Sequence, residues 1–429
     1  MPYDIIIGRD EDDKKRFGDK GLVFLGKGFV TMGNYTSLSN PIYLDVARSH
    51  VILVSGKRGS GKSYTLGVIA EELSNLPEDV SKNLAPLIFD TMGIFWTMKY
   101  RNDKEKELLQ KWDLKPKDLP VKIFVPQGFV EEYEKKGLKP DKTFSIKPSE
   151  LKAEDWILTF ELDILQQEAV LIQAALSELR ENYGIDKIIE EIENQQADDK
   201  TKNIVISLFK AAKTWGIFSE KGLSITELIN AGKTTVLDLS MFSSISAFNI
   251  RSLVIGLITK RIFNERMKER RKEEISAVSR GQDFLTIEDR EFPLVWLFID
   301  EAHEFLPEKE QTAATAPLMQ VLREGRQPGL SIVLATQQPG QIHKDVMTQS
   351  DIVISHRVTA RPDVTALNNI MQSYLLKDIK NYLDNLPDLK GSAIILDDNS
   401  ERIYPMRVRP RFTWHGGEAP TSVKVEKRI

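Results

Sequence analysis

Cysteine is absent from this 429-residue chain, which excludes disulfides, thiolate metal sites and cysteine nucleophiles. Histidine is scarce: His50, His303, His343, His356 and His415 are scattered without ligand spacing, so no zinc site is expected. No apolar run is long enough to span a bilayer, and Ile5-Ile6-Ile7 is too short a core for a signal peptide. The expectation is a soluble cytoplasmic protein with no membrane association. Nor does one sign of charge dominate. Lys+Arg 59 against Asp+Glu 63 and a net charge of -4 argue against a surface that coats nucleic acid everywhere, and do not exclude a locally basic groove or ring lumen. The length holds one large α/β domain with insertions, or two to three average domains.

What is present is a complete phosphate-binding P-loop, Gly56-Lys57-Arg58-Gly59-Ser60-Gly61-Lys62-Ser63. The glycines let successive backbone N–H groups turn toward phosphate oxygens, Lys62 supplies a charge for the β- and γ-phosphates, and Ser63 supplies a hydroxyl for Mg²⁺. Its context is right on both sides. The apolar run Val51-Ile52-Leu53-Val54 leads in, and Leu66, Ile69, Ala70 and Leu73 give the following stretch a helical repeat whose dipole would face the phosphates. The residues expected to hold the nucleotide are Gly56, Lys57, Arg58, Gly59, Ser60, Gly61, Lys62, Ser63 and Tyr64.

Residues 1–45 read as a short N-terminal β segment, with Leu22–Leu25 and Phe29–Met32 as strands of a small hairpin or partial barrel. Residues 46–149 read as the P-loop half of an ATPase core, with further strands at Pro86–Asp90 and Val121–Val125. Residues 150–220 read as a helical insertion, in which Leu165–Leu176 is one helix and the acidic, Gln-rich stretch Glu190–Lys200 separates two others. Residues 221–408 form the second half of the core. It opens with the strand Thr234–Ser240 and a long helix from about Phe248 whose mixed-sign end, Glu265–Glu274, reads as solvated, with a loop at Gly281–Glu291. Residues 409–429 read as a C-terminal tail. Strands alternating with helices predict an α/β fold with a mainly parallel sheet, its ligands at the strand C-termini.

The polar residues fall where that rule wants them. Leu294–Ile299 is an apolar strand ending in Asp300-Glu301, so Asp300 is expected to hold the metal with Ser63, and Glu301 to orient and polarise the attacking water. Gln337, after the strand Leu330–Thr336, can sense the γ-phosphate. Arg326, after the glycine stop of the helix Leu318–Glu324, is a candidate arginine finger acting on a neighbouring subunit, with Arg357 and Arg361 competing for the role. The catalytic set is therefore Lys62, Glu301, Gln337 and Arg326.

Asp300-Glu301-Ala302-His303-Glu304-Phe305-Leu306-Pro307, Glu324-Gly325-Arg326-Gln327-Pro328-Gly329-Leu330 and Ala335-Thr336-Gln337-Gln338-Pro339 resemble the successive motifs of the HerA branch of the HerA/FtsK ATPases. Arg409-Pro410-Arg411-Phe412-Thr413-Trp414-His415-Gly416-Gly417 resembles the tail of archaeal HerA-like proteins. The resemblance spans roughly Pro41 to Gly417 and covers the helical insertion poorly. It implies a RecA-like core, ATP and Mg²⁺ as cofactors, a homo-hexameric ring, ATP-driven movement along double-stranded DNA in repair or end processing, and a NurA-type nuclease partner. Proteins of this family usually begin with a developed β-barrel, where about 45 residues precede the P-loop strand here. Pore-lining loops would carry phosphate-gripping cations, for which Lys99, Arg101, Lys104 and Lys309 are candidates. The alternatives are an ATP-dependent scaffold that gates a nuclease in a repair or defence complex, and a soluble motor that pumps DNA in conjugation or packaging.

Overall fold

The apolar runs that carry no alternation become strands covered on both faces, as parallel sheets require. The computed structural model describes residues 3–32, 35–180, 182–243, 249–280, 290–371 and 379–417. Along the chain come β1 (Ile5–Ile7), α1 (Glu11–Phe17), β2 (Leu22–Met32), β3 (Tyr35–Asp45), β4 (Val51–Ser55), α2 (Lys62–Ser74), β5 (Leu84–Asp90), β6 (Val121–Pro126) and β7 (Lys142–Phe144). The helical block α3 (Ala153–Thr159), α4 (Gln167–Glu178), α5 (Ile185–Asn194) and α6 (Asp199–Lys213) follows. Then come β8 (Thr234–Asp238), α7 (Ile250–Arg280), β9 (Leu294–Ile299), α8 (Thr315–Glu324), β10 (Leu330–Thr336), β11 (Ile352–His356), α9 (Arg361–Met371), β12 (Ser392–Asp397) and β13 (Arg402–Val408).

These thirteen strands make one sheet in the order β1-β3-β2-β13-β12-β11-β4-β10-β9-β5-β8-β6-β7. From β11 to β7 every pairing is parallel, and β4 lies between β10 and β11 with Ser55 level with Thr336 and Ser355. The carboxyl ends of β4, β9 and β10 therefore meet at one edge of the sheet, where ligands of open α/β sheets bind.

Several expectations are corrected. The N-terminal strands form a hairpin but no partial barrel: β2 is continuous and pairs antiparallel with β13, so the hairpin extends the core's own sheet. The helix α1 was not foreseen; Asp10 caps it by accepting the Asp13 N–H at 2.7 Å. The helix placed at Leu165–Leu176 begins at Gln167, and the separator placed at Glu190–Lys200 shrinks because Glu190–Asn194 is the end of α5. Phe248 and residues 281–289 of the expected loop lie outside the described residues, and α7 runs on to Arg280. Inside the helical block Trp156 stacks on Phe160 at 5.6 Å and meets Phe209 at 4.9 Å. Ion pairs from Arg261 to Glu150 at 3.1 Å and Lys260 to Asp155 at 3.9 Å fasten the block to α7.

The end of the described chain is not a free tail. Arg409 and Arg411 are fully buried against α2, where both meet the buried Glu71. Glu71 also accepts the backbone N–H groups of Phe412 at 2.9 Å and Thr413 at 3.0 Å. Gly67 gives this contact room, since a Cβ there would lie 2.5 Å from the Arg411 guanidinium.

Candidate active site

The P-loop connects β4 to α2, and its three glycines all have positive φ, with other structure crowding in at Gly56. Gly56 has φ +156°, and a Cβ on it would fall 2.4 Å from Ser60 Oγ and 2.8 Å from His356 Cβ. Gly61 has φ +116°, a conformation that L side chains rarely adopt, and a Cβ on it would lie 3.4 Å from the His356 ring. Lys57, Arg58 and Gly59 are exposed at the mouth. Lys62 is buried, and that burial lowers its pKa below 10.5 although Glu301 and Asp300 pull the other way. The buried Ser60 Oγ has no partner among the described residues, as expected of a hydroxyl in a cradle shaped for another molecule's oxygens.

The other strand ends converge on this loop. Asp300, one residue beyond β9, accepts the Ser63 hydroxyl at 2.5 Å across a separation of 237 residues. Burial raises the Asp300 carboxyl above 3.8, while the Ser63 hydrogen bond and Lys62 oppose the rise. Glu301 adopts φ +51°, a left-handed conformation uncommon for a residue with a side chain. That turn aims its carboxylate back over the strand end, where Oε1 accepts Gln337 Nε2 at 2.5 Å. Its second oxygen, Oε2, is buried without a hydrogen-bond partner. Burial first, and Asp300 second, push the Glu301 carboxyl up to about 7, against the pull of Lys62 and Gln337. Two carboxyls held above their ordinary values beside a hydroxyl leave a local deficit of positive charge. The Ser63–Asp300 pair thus fits a hard divalent cation with oxygen ligands, one that keeps most of its coordination for water and phosphate. Consistent with so few protein ligands, the described residues contain no cluster of three or more His, Asp or Glu able to cage a metal.

The structure brings Lys62, Ser63, Asp300, Glu301 and Gln337 together. It does not bring Arg326 with them. Arg326 is exposed on the turn before β10, whose far end carries Gln337, so it lies about 20 Å from the cradle at about 3.3 Å per strand residue. Arg357 is beside the loop, but its guanidinium donates to Asp388 at 2.9 Å and to Leu386 O at 3.1 Å. Arg361 is exposed at the start of α9, on the carboxyl side of β11 and hence at the site's end of the sheet. Tyr64 also departs from expectation: its hydroxyl accepts the Arg411 N–H at 2.7 Å and approaches Glu105 at 3.3 Å, so its side chain faces the tail. Lys99 pairs with Asp141 at 2.5 Å and Arg101 with Asp103 at 2.6 Å, Lys104 lies over the Trp414 ring, and Lys309 is exposed.

Sequence reasoning overlooked two histidines. His303 Nδ1 lies 3.2 Å from Thr336 Oγ1 and 3.7 Å from Glu301 Oε2, and burial holds its pKa below 6.5. His356 lies against the P-loop itself. The available signal was position: each follows or ends a buried apolar strand, as the acids do.

The model for the central domain of the helicase HerA matches residues 30–262, more than half of the chain of 429. A model for zonular occludens toxin matches residues 248–362. The DNA double-strand break repair helicase HerA of Pyrococcus furiosus is 25% identical over 189 residues, covering 40% of this chain and 32% of that protein. Its namesake from Saccharolobus solfataricus is 21% identical over 388 residues, covering 87% of this chain and 67% of that one. The alignment with the Pyrococcus protein thus spans about a third of that relative's length. Among solved structures, VirB4 of Thermoanaerobacter pseudethanolicus superposes with a TM-score of 0.55 at 13% identity, covering 91% of this chain and 96% of that one, a likeness of fold.

Proposed function

Because the chain belongs to the family of the HerA helicase central domain, we propose that it is an ATP-hydrolysing motor that moves double-stranded DNA, working as a homo-hexameric ring. The observation that carries this reading is the convergence of Lys62, Ser63, Asp300, Glu301 and Gln337 at the carboxyl ends of β4, β9 and β10. A nucleotide-binding switch needs the cradle alone; the second carboxylate, turned inward by its left-handed backbone, suits hydrolysis.

In this reading the P-loop N–H groups and Lys62 hold the β- and γ-phosphates of ATP, and Ser63 and Asp300 hold Mg²⁺. When bound, the metal neutralises charge between the two phosphates. Glu301 holds the attacking water through Oε2, the oxygen left without a partner, and takes up its proton. Gln337 fixes Glu301 through Oε1 and reports the presence of the γ-phosphate to β10. Stabilisation of transition-state charge falls to an arginine of the neighbouring subunit. Arg361, exposed at the site's end of the sheet, is the stronger candidate; Arg326 could serve only if the neighbour presents the opposite end. The names of the HerA relatives favour repair of DNA double-strand breaks as the setting, with a NurA-type nuclease as a candidate partner.

The deciding experiment measures ATP turnover with and without duplex DNA, with Lys62→Ala as the blank. Stimulation by DNA is expected. Turnover that ignores duplex DNA but rises with a partner nuclease would replace the motor by a regulatory ATPase. A solution mass of a monomer under all nucleotide conditions would refute the ring.

A further inference from the structure

His356 ends β11 and is fully buried, between the P-loop strand β4 on one side and β12 on the other. Its Nδ1 lies 3.0 Å from the carbonyl oxygen of Ser392. A carbonyl only accepts, so Nδ1 carries the proton. Burial and, less strongly, the charge of Lys62 push the pKa of the ring down to about 4, against the Ser392 hydrogen bond, so the imidazole is neutral and has one N–H to give. Nε2 is therefore a bare acceptor, and the group facing it at 2.8 Å is the hydroxyl of Thr65. Thr65 must donate. The competing acceptor, Gly61 O at 3.1 Å, already receives the Thr65 backbone N–H at 2.9 Å.

The same residue lies against both ends of the loop, since a Cβ on Gly56 would meet the His356 Cβ at 2.8 Å and one on Gly61 would meet the ring at 3.4 Å. The backbone beside it joins in: Arg357 O accepts the Lys57 N–H at 3.0 Å, and Ser55 Oγ donates to Ser355 Oγ at 3.0 Å. We propose that His356 is a positioning residue for the phosphate cradle, its imidazole tying the first turn of α2, through Thr65, to the backbone of β12. This role rests on the ATP-binding reading above and deepens it. A glycine-rich loop exposed at Lys57 to Gly59 has freedom to lose when phosphate binds. Fixing the turn that carries Lys62 and Ser63 removes part of that loss before the ligand arrives.

The test replaces each end of the link. Thr65→Val removes the hydroxyl at nearly constant volume. His356→Asn keeps a donor for Ser392 O and cannot reach Thr65, whereas His356→Gln sets an acceptor near the place of Nε2. Thr65→Val and His356→Asn are each expected to raise the Kd of a fluorescent ATP analogue about tenfold, with kcat at saturating ATP nearly unchanged. His356→Gln should recover most of the affinity. The double variant, Thr65→Val with His356→Asn, should bind no worse than either single one, because the same bond is lost. A folded Thr65→Val chain with unchanged Kd, or a lowered melting midpoint without loss of affinity, overturns the proposal, as do multiplicative losses in the double variant. Should His356→Asn fail to fold, Thr65→Val decides alone. Failure of the underlying reading is distinguishable: wild type and Lys62→Ala would then be equally unable to bind the analogue.

Discussion

Replacing Glu71 by Ala should destabilise the chain by about 3–5 kcal/mol, the cost of leaving a buried cation without its partner. The figure follows from who is left unpaired. Glu71, Arg409 and Arg411 are all fully buried. Glu71 accepts Arg409 Nη1 at 3.1 Å, Arg411 Nε at 2.9 Å, the backbone N–H groups of Phe412 and Thr413, and the Thr413 hydroxyl. Arg409 would keep Glu72 at 2.7 Å and Pro410 O at 2.7 Å. Arg411 would keep only neutral contacts, with Thr413 Oγ1 at 2.9 Å and His415 at 3.3 Å. The loss therefore centres on one guanidinium and two backbone donors, each of the latter worth about 1–3 kcal/mol when stranded. Urea denaturation reads the stability, and limited proteolysis reads release of residues 409–417. The pH dependence carries the same signature. Burial alone would raise the Glu71 carboxyl, but Arg411, Arg409 and Thr413 outweigh it and hold it below 4.5. Its contribution is thus present above pH 4.5 and is lost as the pH falls below that value. A Glu71→Ala chain within 1 kcal/mol of wild type, with residues 409–417 still protected, would refute the account.

Gly67→Ala should destabilise, although alanine ordinarily improves a helix by about 1 kcal/mol, because the new Cβ meets the pinned Arg411 guanidinium; a denaturation midpoint at or above that of wild type would count against it. His50 is clamped by Asp351 at 2.6 Å and Asp45 at 3.3 Å, and although burial opposes the charge, these partners push its pKa up to about 9. A raised histidine stabilises fully below 6.5 and ceases to do so as the pH climbs through about 9; stability measured across that window should fall in wild type and flatten in His50→Gln. Glu301→Gln should keep ATP binding and lose turnover by about 10²–10⁴-fold, and normal turnover would remove Glu301 from the chemistry. A mixture of Arg361→Ala with Lys62→Ala should recover activity that neither has alone, since a mixed ring rebuilds some intact interfaces; a mixture as inactive as its parts would dismiss Arg361 as the finger.

Arg326 marks how far local pattern reaches. Its motif was visible, and so was its place ahead of β10, opposite the end that carries Gln337; which end of the sheet a neighbouring subunit would present is what no window of sequence contains. The same holds for β12 and β13, whose antiparallel course joins the N-terminal hairpin to the core, and for the burial of residues 409–413 on α2. His356 was dismissed for lacking ligand spacing, a test suited to metal sites and blind to a ring that braces a loop.

By itself the sequence determined the P-loop, the acids at the end of β9 and the amide at the end of β10, because each is a short-range pattern: an apolar run, a backbone reversal, a polar residue at the exit. It also implied that these would share an edge, since alternating strands and helices favour a parallel sheet. Tertiary structure alone decided which side chains touch. Ser63 reaches Asp300 across 237 residues, and Thr65 reaches His356 across 291. Such contacts depend on strand order and on the left-handed turn at Glu301, properties of the assembled sheet rather than of any segment within it.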